Sequence, residues 1–315
     1  MRRMRFEVIP LGTGAALPAQ GRSPSAQVVR REESLYLVDC GEGTQERLRM
    51  AGLNFMRIGH VFISHLHGDH YFGLMGLLST MHLLGRTREL HVHGPPLLKP
   101  IIDLQLQASA TWLRYPLRFH PMADDAPHEV LVDAHLTVTS LPLRHRLPTT
   151  GFLFRERPGP RRLRPERITD IPHYLRTAVK NGADLQREDG TVIPNAELTF
   201  DPLPPRAYAY CSDTAHHPQL VDWVRGVDLL YHEATFTRHL AARARETMHS
   251  TAAEAATIAR DAGVGALLLG HFSSRYKDPA PLLLEASEVF PRVALSEEGR
   301  SYPIGRSIVD NSFGR

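Results

Sequence analysis

The stretch "HVFISHLHGDH" constrains this chain more than any other. An apolar run ends and, within six positions, His65, His67, Asp69 and His70 follow. With 18 histidines among 315 residues, such a cluster arises by composition on the order of once in 10⁵ windows. On extended backbone, side chains two apart point the same way. His65 and His67 therefore converge on one cation, while Asp69 and His70 open the following helix and address a second. Imidazole and carboxylate are the ligands that zinc takes at about 2.0–2.2 Å, and a catalytic zinc keeps a place for water.

Two metals need more than four ligands. Open α/β architectures place sites at the carboxyl ends of strands. His145 follows "TVTSLPLR", Asp213 follows "AYAYCS" and His271 follows "ALLLG". Each is a ligand-type side chain at the end of a strong apolar run.

The strand and helix pattern suits that reading. "FEVIPLG", "AQVVR", "SLYLVD" and "HVFISH" read as strands, the last buried on both faces. "HYFGLMGLLSTMHLLG" has helical spacing and stops at Gly85. "ELHVHG" and "LTVTSLPLRH" read as strands around a helix over 97–110. The second half alternates strands "RAYAYC", "VDLLYHEATF" and "VGALLLG" with helices near 216–225, at "RHLAARARE", at "STAAEAATIARDAG" and at "PAPLLLEASEVF". Thr251 and Glu254 are spaced as a capping box. Between the halves lies an Arg-, Pro- and Gly-rich insert, roughly 155–200, with a helix near 171–180. Strands followed by strand–helix alternation on each side of an insert predict an α/β chain, a single domain folded as a four-layer αββα sandwich with a protruding arm. No internal repeat is visible.

Composition excludes some classes. Only two cysteines occur, Cys40 and Cys211, both in strand-like apolar contexts, so buried free thiols are expected rather than a disulfide framework. The start "MRRMRFEVIP" is basic but lacks the apolar core of a signal peptide, and no apolar run approaches a membrane span. A cytoplasmic protein with no membrane contact is expected. The formal net charge of +3 is compatible with an anionic partner.

The pieces "LGTGAALP", "DCGEGTQ", "FISHLHGDH", "LRHR", "CSDT", "HEATF", "HST" and "GHFSSRY" run across nearly the whole chain. Together they resemble the metallo-β-lactamase fold and, within it, the ribonuclease Z family of tRNA 3′-processing endonucleases. "SHLHGDH" marks the superfamily; "HEATF" with "HFSSRY" marks the ribonuclease branch. The resemblance implies two Zn2+ ions per subunit. One is held by His65, His67, His145 and Asp213, the other by Asp69, His70, His271 and the shared carboxylate of Asp213. It implies Asp69 as proton acceptor and places Glu233 and His249 beside the metals, His249 being the candidate acid for the leaving oxygen. It implies precursor tRNA as substrate, a homodimer, and the insert as an arm that grips tRNA.

Phosphodiester hydrolysis suits such a centre, because two cations roughly 3.5–4 Å apart activate water and neutralise the phosphoryl group. The expected products are a tRNA 3′-hydroxyl and a trailer 5′-phosphate. In the arm, Arg161, Arg162, Arg164 and Arg167 could contact phosphates. The arm departs from the family pattern, carrying "IPHYLRTAVKNGADL" where many relatives have a Gly-, Pro- and Tyr-rich stretch. Backbone N–H groups of "LGTGAALP" and "GRSPSA" could hold a phosphate near the mouth of the site, and Arg275 and Tyr276 could touch the RNA end or serve the fold. The rival within the same fold is a hydrolase of thioesters, lactones or other phosphodiesters; imidazole and carboxylate ligands also accept manganese or iron.

Overall fold

Apolar runs fix the order of the layers. The computed structural model describes residues 4–305. β1 (Phe6–Gly12), β2 (Ala26–Arg31) and β3 (Ser34–Val38) form an antiparallel meander. The chain then winds through α1 (Thr44–Met50), β4 (Ile58–Phe62), α2 (Gly68–Tyr71), α3 (Leu74–Leu83), β5 (Leu90–Gly94), α4 (Leu98–Ala108) and β6 (Leu117–Pro121). Here successive strands are parallel. β7 (His128–Val132), β8 (Leu136–Leu143) and β9 (Thr149–Glu156) make a second antiparallel meander. The arm contributes β10 (Arg162–Leu163), α5 (Arg176–Lys180), β11 (Leu185–Gln186), β12 (Val192–Ile193), α6 (Asn195–Leu198) and β13 (Thr199–Phe200). The chain re-enters the second sheet through β14 (Ala207–Cys211), α7 (Leu220–Trp223), β15 (Leu229–Glu233), α8 (Ala241–Thr247), α9 (Ala252–Asp261), β16 (Leu267–Gly270), α10 (Ala280–Ser287) and β17 (Val293–Leu295). β18 (Tyr302–Pro303) returns to the first sheet.

Two seven-stranded sheets result, ordered β18-β1-β2-β3-β4-β5-β6 and β17-β16-β15-β14-β9-β8-β7. Each switches from antiparallel to parallel pairing at an inner strand, β3 in one and β14 in the other. The sequence carries no visible repeat, yet the two sheets share this pairing pattern. Between them lies an aromatic-rich core that includes Phe62, Phe152, Phe154, Tyr208, Tyr210 and Tyr231. A second core packs α1, α3 and α4 on the first sheet, and a third packs α7, α9 and α10 on the second. The αββα layering is as expected. The capping box at Thr251 and Glu254 is formed, and Cys40 and Cys211 are buried free thiols.

Several elements differ from expectation. The helix expected across 70–85 breaks before α3, where the Gly73 N–H donates to the Cys40 carbonyl at 2.9 Å; Gly73 packs so closely there that a Cβ would stand 2.2 Å from the Gly41 carbonyl oxygen. The helix near 216–225 shrinks to the single turn of α7. The helix near 171–180 is a 3₁₀ turn, His173–Leu175, that runs into α5. The arm has a small core of its own, Ile171, Val179, Leu185, Ile193 and Leu198, so it is more than a solvated excursion.

The arm's arginines also have internal duties. Arg161 donates to Thr199 Oγ1 and Asp201 Oδ1, both at 2.7 Å. Arg164 lies over the Phe200 ring at 4.1 Å, Arg162 lies over the same ring at 5.7 Å, and Arg167 pairs with Asp170 at 2.9 Å.

Where the arm leaves the sandwich, Glu156 closes a buried charge network. Arg206 donates to both its carboxylate oxygens at 2.7 and 2.8 Å, and Arg31 Nε lies 3.0 Å from it. Arg206 also donates to the carbonyls of Met4 and Ile304, tying both described ends of the chain to this point. Removing the shared partner of two buried guanidinium groups typically costs about 3–5 kcal/mol. Glu156→Ala is therefore expected to lower the urea midpoint of unfolding by that much stability at an unchanged slope. A loss below about 1 kcal/mol would mean that the network is a surface pair in energetic terms.

Candidate metal centre

Strand direction brings the ligand-type residues to one edge. β3 and β4 are parallel, so Asp39 and the loop bearing His65 and His67 leave the first sheet on the same side. β8 is antiparallel to β9, which is antiparallel to β14, so β8 and β14 point the same way. His145 after β8, Asp213 after β14, Glu233 at the end of β15 and His271 after β16 thus meet at the corresponding edge of the second sheet. The two edges are stitched together by backbone bonds: Ala15 N–H donates to the Phe272 carbonyl at 3.0 Å, and Phe272 N–H donates to the Thr13 carbonyl at 2.8 Å.

All seven residues expected as ligands converge. His65, His67, His145 and Asp213 place one donor atom each within 4.8 Å of one another, and Asp69, His70 and His271 do the same. Asp213 lies between them. Its Oδ2 is 3.7 Å from both His65 Nε2 and His145 Nε2. Its Oδ1 is 3.3 Å from His70 Nε2 and 3.2 Å from His271 Nε2. Asp69 Oδ2 faces the same two nitrogens, each at 3.5 Å.

The donor set fits metal ions. Nε2 of His70 and Nε2 of His271 are buried and have no hydrogen-bond partner. Buried polar groups are nearly always satisfied, so two orphans aimed at the same pair of carboxylates call for a ligand between them. Charge says the same. Burial opposes a charge on His70, yet Asp213, Asp69 and Asp39 around it hold its pKa well above the usual histidine value. Burial likewise pushes Asp213 up, but His271 and His70 outweigh it and hold the carboxylate well below its usual range. Three carboxylates, of which Asp39 and Asp213 are buried, demand positive charge at this point.

The candidate ligands are oriented from behind. Asp39 bonds His70 Nδ1 at 2.7 Å and is itself held by the Ser64 N–H at 2.8 Å and the Tyr210 hydroxyl at 2.7 Å. Ser64 Oγ faces His65 Nδ1 at 3.0 Å, the Met248 carbonyl faces His145 Nδ1 at 2.9 Å, and Thr235 Oγ1 faces His271 Nδ1 at 3.0 Å. Such partners fix the tautomer and direction of a metal-binding imidazole. Asp39, Met248 and His271 all adopt left-handed backbone, at φ 56°, 57° and 56°. Strain at non-glycine residues concentrates at functional sites.

Glu233 and His249 sit beside the centre, as expected. Glu233 is fully buried and accepts from Thr214 N–H at 2.7 Å, from Thr235 Oγ1 at 2.5 Å and from His249 Nδ1 at 2.9 Å. Burial would lower the His249 pKa, but the Glu233 carboxylate outweighs burial and raises it to about 9. His249 opens onto a cavity of about 620 Å³ that is also lined by His67, Asp69, Asp213, His271, Phe72 and Arg275.

Three smaller expectations fare differently. The "LGTGAALP" turn does reach the mouth, but its N–H groups are taken. Thr13 N–H donates to Glu298, Gly14 N–H to the Ser23 carbonyl and Ala16 N–H to Asp69 Oδ2 at 2.8 Å. This turn positions Asp69 rather than cradling a phosphate. Tyr276 has a structural duty, its hydroxyl accepting from Thr237 N–H at 2.9 Å, while Arg275 lines the cavity. Asp39, Ser64, Thr235 and Met248 are parts of the site that sequence reasoning misses. Asp39 carries the same signal as Asp213, a carboxylate ending an apolar strand; the other three carry none.

Known proteins resemble this chain in different degrees. Residues 6–145 match a family model described as anti-Pycsar protein Apyc1. The short form of human tRNase Z superposes with a TM-score of 0.69 at 29% identity, covering 95% of this chain and 100% of that one. The metallo-beta-lactamase fold protein YhfI of Bacillus subtilis superposes at 0.67 and 19% identity, covering 96% of this chain and 100% of that one, which shows the shared fold. Ribonuclease Z of Bacteroides fragilis is 48% identical over 93% of this chain and 97% of its own length. Ribonuclease Z of Porphyromonas gingivalis is 47% identical over 94% and 98%. With a full-length likeness of that depth and a histidine–aspartate centre at the joined sheet edges, the chain belongs to the ribonuclease Z family.

Proposed function

We propose that this chain is the endoribonuclease that removes 3′ trailers from precursor tRNA by water attack, leaving a 3′-hydroxyl on the tRNA and a 5′-phosphate on the trailer. One observation carries the reading: the two oxygens of Asp213 face separate histidine sets in a chain related over nearly its whole length to ribonuclease Z. Two Zn2+ ions per subunit suit the site. His65, His67, His145 and Asp213 would hold one, and Asp69, His70, His271 and Asp213 the other. Such a pair, when bound, supplies a hydroxide near neutral pH and neutralises the phosphoryl oxygens.

The remaining work falls to side chains. Burial would raise the Asp69 pKa, but His70 and His271 hold it far below its usual range, so it is ionised and can orient the attacking water, the position from which the proposed proton transfer starts. The Ala16 N–H fixes its direction. Glu233 holds His249 by Nδ1, which leaves Nε2 to protonate the leaving 3′ oxygen. The arm, 155–200, binds the tRNA away from the scissile bond. Its four engaged arginines keep N–H groups for phosphate, but their first effect is to shape the arm. A cytoplasmic enzyme is proposed; no helix among the described residues is long and apolar enough to cross a membrane.

Self-association is part of the proposal. Leu83, Leu84, Leu97, Leu104 and Trp112, on or next to α3 and α4, are all exposed. Scattered apolar residues need no explanation, but a group of this size on one layer suits a subunit interface.

Four measurements test these readings. Metal-loaded protein incubated with a 3′-extended tRNA precursor should give a trailer with a 5′-phosphate, and Asp69→Ala should lower the rate by at least a hundredfold. A 2′,3′-cyclic phosphate would exclude water as the attacking group. In the same assay, deleting 158–196 should weaken precursor binding while sparing hydrolysis of bis(p-nitrophenyl) phosphate; equal loss of both would make the arm structural.

The pH profile tests His249. Its folded-state pKa, about 9, lies above the ordinary histidine value, so the acid form is present at neutral pH and is lost as pH rises through about 9. The rate constant kcat should fall above that point, and Glu233→Gln should move the alkaline limb down by about one unit or more. An unmoved limb would remove His249 as the acid.

Sedimentation velocity should give a dimer mass that falls to the monomer in Leu104→Asp with Trp112→Asp. A monomeric wild type at micromolar concentration would overturn the interface.

A further inference from the structure

Six of the 18 histidines stand at the metal centre, and four others share one face of the first sheet. His60 is on β4, His91 and His93 on β5, and His120 on β6. The register sets His60 opposite His91, Phe62 opposite His93, and His93 opposite His120. The rings stack across strands, His60 on His91 with centroids 4.7 Å apart and His93 on His120 at 4.5 Å. Along the diagonals their nitrogens meet in two pairs: His60 Nδ1 with His93 Nε2 at 3.2 Å, and His91 Nδ1 with His120 Nε2 at 2.9 Å.

We propose that His91 and His120 form a second, non-catalytic site for a divalent transition ion, with Cu2+ and Ni2+ the best-suited ions. The spacing matches the centre already described, where His65 Nε2 and His67 Nδ1 are 2.9 Å apart and His67 Nδ1 and His145 Nε2 are 3.2 Å apart. With metal–nitrogen bonds of about 2.0–2.1 Å, nitrogens at that spacing subtend roughly 90° at the ion. That angle is native to tetragonal Cu(II) and Ni(II), and Cu(II) binds imidazole most tightly among the divalent first-row ions.

The two pairs differ in what they can do. His93 is buried, and its Nδ1 has no partner. A buried N–H without an acceptor is costly, so its proton belongs on Nε2, donated to His60 Nδ1. The inner pair is thus a hydrogen bond that braces the face. The outer pair is partly open to solvent, the His91 side chain being 30% exposed, so water can complete the coordination of an ion there. Glu89 stands 3.9 Å from His91 Nε2, favouring the proton on that nitrogen and leaving the Nδ1 lone pair toward His120. On binding, His120 shifts its proton from Nε2 to Nδ1, and no net proton is released. Burial and the neighbouring His91 hold the His120 pKa below the ordinary value, so protons compete weakly at neutral pH.

The test uses full-length protein whose catalytic centre is first saturated with Zn2+, followed by titration with Cu2+. Bound zinc and copper are counted by elemental analysis, and copper ligation is read by electron paramagnetic resonance. Wild type should take one further Cu2+ per chain with two imidazole nitrogens and no loss of zinc. His91→Ala and His120→Gln should each weaken that binding at least tenfold while keeping zinc content and hydrolysis of bis(p-nitrophenyl) phosphate. His91→Asn replaces His91→Ala if the latter melts early. Copper that enters only by displacing zinc, or that binds wild type and variants equally, would reduce the outer pair to an N–H···N hydrogen bond and overturn the proposal.

Discussion

One carboxylate, Asp213, sets the geometry on which the centre depends. Its oxygens face opposite ways, Oδ2 toward His65 and His145 and Oδ1 toward His70 and His271. Buried at 2% exposure, it cannot be solvated by water and must be neutralised by what surrounds it. That requirement explains why ligands from β4, β8 and β16 have to arrive at one point, and hence why the two sheet edges are stitched by backbone bonds at Phe272. Shift either sheet by one residue and the alternation of faces would send these side chains elsewhere.

The partners behind the ligands carry the second part of the constraint. Asp39 holds His70 from the first sheet and is gripped in turn by Tyr210 from the second, so one hydrogen-bond chain spans the sandwich. Thr235 joins Glu233 to His271, and Glu233 joins Thr214 to His249. Asp39 follows β3 and Asp213 follows β14, the two strands at which pairing switches from antiparallel to parallel. Both carboxylates therefore occupy equivalent places in two sheets that share no visible sequence repeat.

Much of this architecture is legible in the amino-acid sequence. The candidate ligand residues are readable because His65, His67, Asp69 and His70 crowd into six positions and His145, Asp213 and His271 each follow an apolar run, a pattern that survives without knowledge of packing. The layering is readable because strand runs and helical periodicity alternate. The elements that sequence reasoning misses lack those signals. β6 and β7 have half-exposed faces and no clean alternation, and β9 abuts the arginine-rich insert, which masks its apolar half. The break before α3 depends on how closely Gly73 approaches Gly41, a tertiary contact with no local trace. Asp39 is the exception, a residue whose signal is present and is eclipsed by the histidine cluster beside it. The "LGTGAALP" turn misleads for a physical reason: free N–H groups in a glycine turn suggest an anion site, but here they are consumed by Glu298, Ser23 and Asp69.

The arm shows how a basic segment can be both structural and electrostatic. Its small core of five buried side chains is too slight to order roughly 45 residues unaided, and arginine stems and guanidinium groups supply the rest. Arg162 and Arg164 cover Phe200, while Arg161 binds Thr199 and Asp201 at the base where β10 pairs with β13. An arginine held by one face keeps its charge and its remaining donors, because the guanidinium stays protonated and offers five N–H groups in a planar fork. Ordering these side chains before RNA arrives lowers the entropy lost on binding. If the arm has the tRNA-binding role proposed for it, an arm braced in this way would grip a backbone by shape as well as by charge, and its contribution to binding would fall less steeply with salt than a count of its arginines suggests.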